Sequence, residues 1–226
     1  MRCKPMPVAA LIFIGLMNAI AMPWNGGGAA PSSQAGERTS TPLFNQADLL
    51  FLQHMIVHHE QAVVMSAMAP ERTNRDQFIR FTRYVQRAQA AEIDLMQSLL
   101  ELAAARGLEV PHHGLHGDPP MAGMLSTAQM DALAAARGAE FERLWLEGMI
   151  VHHQGAIDMS IIQQRQQLEN ARRPYAIGVL VEDILVEQRA EITKMRAWLS
   201  EWGLAGNPAQ PPSRARPAGP AAPQPR

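Results

Sequence analysis

Apolar residues return every three or four positions along most of the chain, and the breaks between these runs mark its elements. Asn45 and Asp48 form a candidate cap after Pro42, and Leu49, Leu52, Met55, Ile56, His59 and Val63 continue at helical spacing until Pro70. This predicts a first long helix over about 46–69. Thr73-Asn74-Arg75-Asp76 reads as a second cap, and Phe78, Phe81, Val85, Ala88, Ile93, Met96 and Leu99 carry a second helix over about 75–106 to a stop at Gly107. The short turn between them forces an antiparallel hairpin. Residues 107–125 break the pattern with three Pro and four Gly. Ser126 and Gln129 then make a capping box for a short helix ending near Arg137. A third long helix is expected over about 139–169, and Pro174 suits the first turn of a fourth that ends at Trp202-Gly203.

The two halves share words. Met55-Ile56-Val57-His58-His59 returns as Met149-Ile150-Val151-His152-His153, followed in each copy by an Ala, a Met and a Ser at matched positions. Gln89-Ala90-Ala91-Glu92-Ile93-Asp94-Leu95-Met96 resembles Gln188-Arg189-Ala190-Glu191-Ile192-Thr193-Lys194-Met195 in the same way. Two similar helical hairpins joined by a long crossover with a short helix make an all-α, ferritin-like antiparallel four-helix bundle over residues 43–204.

The ends read differently. Arg2 and Lys4 precede an apolar run from Val8 to Ala21, and Ala19-Ile20-Ala21 is a small-x-small pattern, so residues 1–21 are expected to be a cleaved export signal. Residues 22–42 read as a flexible linker and 205–226 as a Pro-rich tail without a core of its own. The product is expected to be periplasmic or secreted, with no membrane association after cleavage. A formal charge of −1 and the lack of a basic stripe argue against nucleic acid. The single cysteine, Cys3, precedes the apolar run, so soft-metal chemistry in the mature chain falls to Met and His.

Met55, His58, His59 and Met65 share one helix face, as do Met149, His152, His153 and Met159. Glu92 with Met96 and Glu191 with Met195 place a carboxylate and a thioether on the partner helices. Adjacent His residues diverge by about 100°, which predicts one of each pair inward and the other toward the flank. Thioethers suit Cu(I), and imidazole suits Cu(I), Cu(II) and Zn(II). Each Met taken alone is more often gap-filling core than a ligand, and a single buried His is commonly a hydrogen-bonded core residue. The doubled pattern favours metal. Because imidazole must be neutral to ligate, affinity is expected to fall as pH drops through about 6.5. His112, His113, His116, Met121 and Met124 in the crossover form a second candidate site, expected to be exposed and mobile. No predicted helix carries the Glu-x-x-His of carboxylate-bridged di-iron proteins, and the common enzyme fingerprints are lacking. A non-enzymatic role is therefore expected. The competing readings are a metal-free structural or interaction module and a metal-dependent redox enzyme.

The doubled Met-Ile-Val-His-His-x-x-Ala-x-x-Met, the Gln-x-x-Glu-Ile-x-x-Met of the partner helices and Gly123-Met124-Leu125-Ser126 resemble the "domain of unknown function 305" family over roughly residues 43–204. The resemblance implies a ferritin-like bundle, export, and copper binding through Met and His in copper tolerance, alongside other periplasmic copper-handling proteins. Carried over residue by residue, it points to Met55, His58, His59, Met65, Met96, Met149, His152, His153, Met159 and Met195. His54 stands where the second copy has Gly148, so it is an extra His.

Overall fold

A computed structural model describes residues 43–110, 121–169 and 174–205. The expected signal and linker, the tail beyond 205, and His112, His113 and His116 lie outside the described residues. The chain is all-helical among the described residues: α1 (Gln46–Ala67), α2 (Ala69–Arg72), α3 (Asp76–Ala105), α4 (Thr127–Ala135), α5 (Gly138–Glu169) and α6 (Tyr175–Glu201).

Paired side chains fix the directions of the four long helices. Gln46 reaches the carbonyl of Glu109 while His59 reaches Glu92, so α1 and α3 run antiparallel. His153 with Glu191 and Gln164 with Glu182 set α5 against α6 in the same sense. Asp48 with Gln163 and His58 with His152 do so for α1 and α5. Phe78 with Trp202 and Phe81 with Trp198 complete the circuit between α3 and α6. Each long helix is thus antiparallel to two neighbours.

Most boundaries follow from local chemistry. Asn45 accepts from the Asp48 amide and Asp48 accepts from the Asn45 amide, closing a capping box; Ser126 and Gln129 close another. Gly107 and Gly203 end α3 and α6 with φ of 77° and 64°, where a Cβ would be strained. Two expectations change. Pro70 does not stop a single helix: α1 ends at Ala67, and Pro70 sits in the first turn of α2, where its missing N–H is not needed. The Thr73–Asp76 cap is not made either, because the residue before α3 is Arg75, whose side chain gives no capping bond. Thr73 instead donates to the buried carboxylate of Glu142 on α5, and Arg75 Nε joins it at 2.8 Å. A local cap has been exchanged for a tie between hairpins.

The core is polarised along its length. Phe78, Phe81, Phe141, Trp145, Trp198 and Trp202 gather at one end, and Phe78 meets Phe141, Trp145 and Trp202 edge-on at 5.1–6.4 Å. Such contacts add to the gain from apolar burial. Phe78 has no exposure, so Phe78→Ala should leave a cavity and cost about 3–5 kcal/mol. Urea titration checks this: the midpoint should fall while Phe78→Leu loses less.

Candidate metal centre

His58 and His59 on α1 and His152 and His153 on α5 all have no solvent exposure. The expected split, one imidazole inward and one toward the flank, is not what forms. α1 is covered by α5 on one side and α3 on another, so two directions 100° apart are both interior. His58 and His152 meet between α1 and α5 with ring centroids 3.8 Å apart. His59 and His153 turn to α3 and α6, where each Nε2 lies 2.6 Å from a carboxylate oxygen, of Glu92 and Glu191 respectively.

The first two rings have their tautomer set by the backbone. His58 Nε2 is 3.0 Å from the carbonyl oxygen of Ala122, and His152 Nε2 is 2.8 Å from that of His58. A carbonyl only accepts, so each Nε2 carries the hydrogen and each Nδ1 presents a lone pair. The Nδ1 atoms of all four rings are buried without a hydrogen-bond partner. Burial, and next the neighbouring His59, pushes the His58 imidazole down to about 3. His152 is also held well below the ordinary value, by burial first and then by His58. Both rings are therefore neutral far below pH 6.5, which corrects the expectation that protons would compete with a metal there.

The crossover seals this centre. Residues 122–125 pass over α1 and α5, and Gln61 clamps them by accepting from the Leu125 amide at 2.7 Å and donating to its carbonyl at 2.9 Å. On α5 the matched position is Gly155, where a Cβ would fall 1.9 Å from the Ala122 oxygen. A Cβ on Gly123, which has φ of 80°, would fall 2.5 and 2.9 Å from the carbonyl oxygens of Val151 and His152. Gln61, Gly155 and Ala122 were not among the residues singled out from the sequence, and Gly123 entered only through the resemblance. The signal for two of them was present, as the mismatch of Gln61 with Gly155 inside a faithful repeat.

Of the expected thioethers, Met55, Met65, Met96, Met149 and Met195 are fully buried. Met159 is half-buried and lines a surface cavity with His54, Phe51 and Gln163. Met121 and Met124 are half-buried on the crossover. Gly148 faces the ends of Leu125 and Met65, so a side chain matching His54 has no room there. One Glu-x-x-His does occur, Glu109 to His112, but Glu109 lies beyond the end of α3 and His112 is outside the described residues. Among the described residues no three His, Cys, Asp or Glu side chains are grouped to hold a metal ion. Thioethers together with imidazoles are a donor combination that suits a soft monovalent ion.

Fold and site together define an all-helical protein with a doubled, buried His-His centre. The chain belongs to the DUF305 family (domain of unknown function), whose family model matches residues 48–199. Among solved structures, a DUF305 protein from Streptomyces coelicolor, described as a candidate secreted protein, is similar at 30% identity, with 70% of this chain and 92% of that one covered and a TM-score of 0.58. A DUF305 fragment from Deinococcus radiodurans is similar at 29% identity, covering 71% and 99%, with a TM-score of 0.58. CopM in its Cu(II)-bound form is similar at 29% identity, covering 69% and 97%, with a TM-score of 0.54; CopM has also been solved bound to Cu(I) and to silver. No curated protein matches the chain.

Two outcomes follow. Gly155→Ala should drive the crossover off α5 and cost about 1–3 kcal/mol, as overpacking does; faster hydrogen exchange at the Leu125 amide would register it. Acid should also destabilise the fold. The unfolded chain takes up protons at His58 below about 6.5, whereas the folded protein refuses them until about 3. Stability is thus complete above pH 6.5 and is lost as pH falls, by about 2 kcal/mol at pH 5 from His58 alone. Urea midpoints from pH 7 to 5 should show a slope that flattens in the His58→Gln, His152→Gln variant.

Proposed function

We propose that the protein is a non-enzymatic, exported copper-binding protein that prefers Cu(I) and sequesters it or hands it on. The observation that carries this reading is the set of four buried imidazoles, each with Nε2 against an oxygen acceptor and Nδ1 bare, which is how metal-ligating histidines are commonly held. Similarity to the copper- and silver-bound forms of CopM supports it. His58, His59, His152 and His153 supply nitrogen, and the buried Met55, Met65, Met96, Met149 and Met195 supply thioethers; Met159 and the crossover Met121 and Met124 are outer donors. The circuit of four antiparallel helices supports a ferritin-like four-helix bundle as the scaffold. Export is supported by the N-terminal pattern and by the description of the Streptomyces relative. No helix among the described residues is long and apolar enough to cross a membrane.

A second reading, a packing module without metal, is favoured by the lack of three grouped His, Cys, Asp or Glu side chains among the described residues. The two readings separate in one experiment. The purified protein should withdraw Cu(I) from a chromogenic chelator, and copper should raise its thermal midpoint by mass action. The His58→Ala, His152→Ala variant should lose affinity by more than about 100-fold, beyond the loss expected from an outer-shell partner. Unchanged stoichiometry in that variant, with an unmoved midpoint in the parent, favours the packing module.

A further inference from the structure

Two of the four imidazoles have their tautomer dictated by a carbonyl, but His59 and His153 have no such acceptor. We propose that Glu92 and Glu191 are positioning residues that keep the proton on Nε2 of His59 and His153 and so hold Nδ1 bare for a metal ion; the metal part rests on the copper-binding reading above. Each carboxylate oxygen lies 2.6 Å from its Nε2. A carboxylate accepts and does not donate, so it performs for these rings what the Ala122 and His58 carbonyls perform for the other two. An amide could not, because it offers oxygen or N–H and leaves the tautomer open.

The alternative amides are present and are not used. Gln89 and Gln188 stand one turn before Glu92 and Glu191 on the same helix faces, are 3% and 2% exposed, and leave side-chain nitrogen and oxygen unbonded. Both rings pair with the acid instead, in each copy of the repeat. The acids are also placed where solvent can complete them: the Glu92 and Glu191 side chains are 16% and 9% exposed, against 0% for their imidazoles. Glu191 lines the groove between α3 and α6 with Phe81, Tyr84, Lys194 and Trp198. A carboxylate on one ring nitrogen also strengthens the other as a donor.

The test starts with the metal-free protein, labelled with 15N at histidine. His59 and His153 should each show a protonated Nε2 and a bare Nδ1; a protonated Nδ1 overturns the proposal. In the Glu92→Gln, Glu191→Gln variant the ring signals should shift toward mixed tautomers, and Ag(I) affinity should fall 10- to 100-fold. Unchanged Ag(I) affinity with altered tautomers overturns the metal part. If the double variant does not fold, Glu92→Gln and Glu191→Gln taken singly each leave the other copy as an internal reference. Failure of the parent protein to bind Ag(I) sinks the copper reading, whereas the nitrogen signals still decide the positioning role.

Discussion

Four ring nitrogens buried without partners, on adjacent histidines of α1 and α5, are the constraint on which the rest of the structure depends. An unsatisfied buried polar atom costs about 1–3 kcal/mol, so the centre opposes folding unless something occupies it. The close approach makes this sharper. Ring centroids 3.8 Å apart need small neighbours, and Ala62, Gly155 and Ala156, all buried, let the two helix backbones come together. The offset comes from elsewhere in the same bundle: aromatic packing at the Trp145 end, the Glu142 tie between hairpins, and the Asp48–Gln163 bond at the other end. Paired polar groups and aromatic packing stand toward the ends, while the middle carries the unpaired imidazole nitrogens.

The repeat is nearly two-fold, yet one crossover must serve two copies, and that is where symmetry fails. His152 donates to the backbone oxygen of His58. The reciprocal bond, from His58 to the oxygen of His152, is not made, because Gly123 lies against that oxygen and Ala122 offers its own carbonyl to His58. The same segment explains why one copy has Gln61 and the other Gly155, the first to grip the crossover and the second to admit it. Divergence inside the motif thus has a steric cause.

This bears on what could be read from the chain. Helix limits at Asn45, Gly107, Ser126 and Gly203 were legible because caps and positive-φ glycines act locally. The start of α3 was legible to within a residue, but its cap was not, since Thr73 donates its hydroxyl to Glu142 in the other hairpin, a partner 69 residues away. The doubled His-His word falls on four buried imidazoles, but periodicity gives a side chain's direction and not how many helices lie around it. Hence one imidazole of each pair, without a choice between them, was expected at the flank, whereas α3 and α6 leave His59 and His153 as buried as His58 and His152. Glu92 and Glu191 were visible as a stripe with Met96 and Met195, while their pairing with imidazoles required the register between helices. The crossover residues were the least legible, because nothing in a loop's composition says which carbonyl it will present.

Burial also changes where acid acts. An exposed histidine site loses its ion as pH falls through about 6.5, since protons and metal compete for the same lone pair. Here desolvation holds His58 near 3 and His152 well below its usual value, so these two rings stay neutral through the range where an exposed histidine titrates. Thioethers have no proton to exchange at all. For His58 and His152 the competition is therefore moved from the site to the folding equilibrium, because the unfolded chain takes up protons that the folded rings refuse. A ligand that binds only the native state resists that unfolding in proportion to its own affinity. For a protein proposed to hold a soft ion outside the cytoplasm, occupancy and acid stability then become one property, and the bare Nδ1 atoms are the means of their coupling.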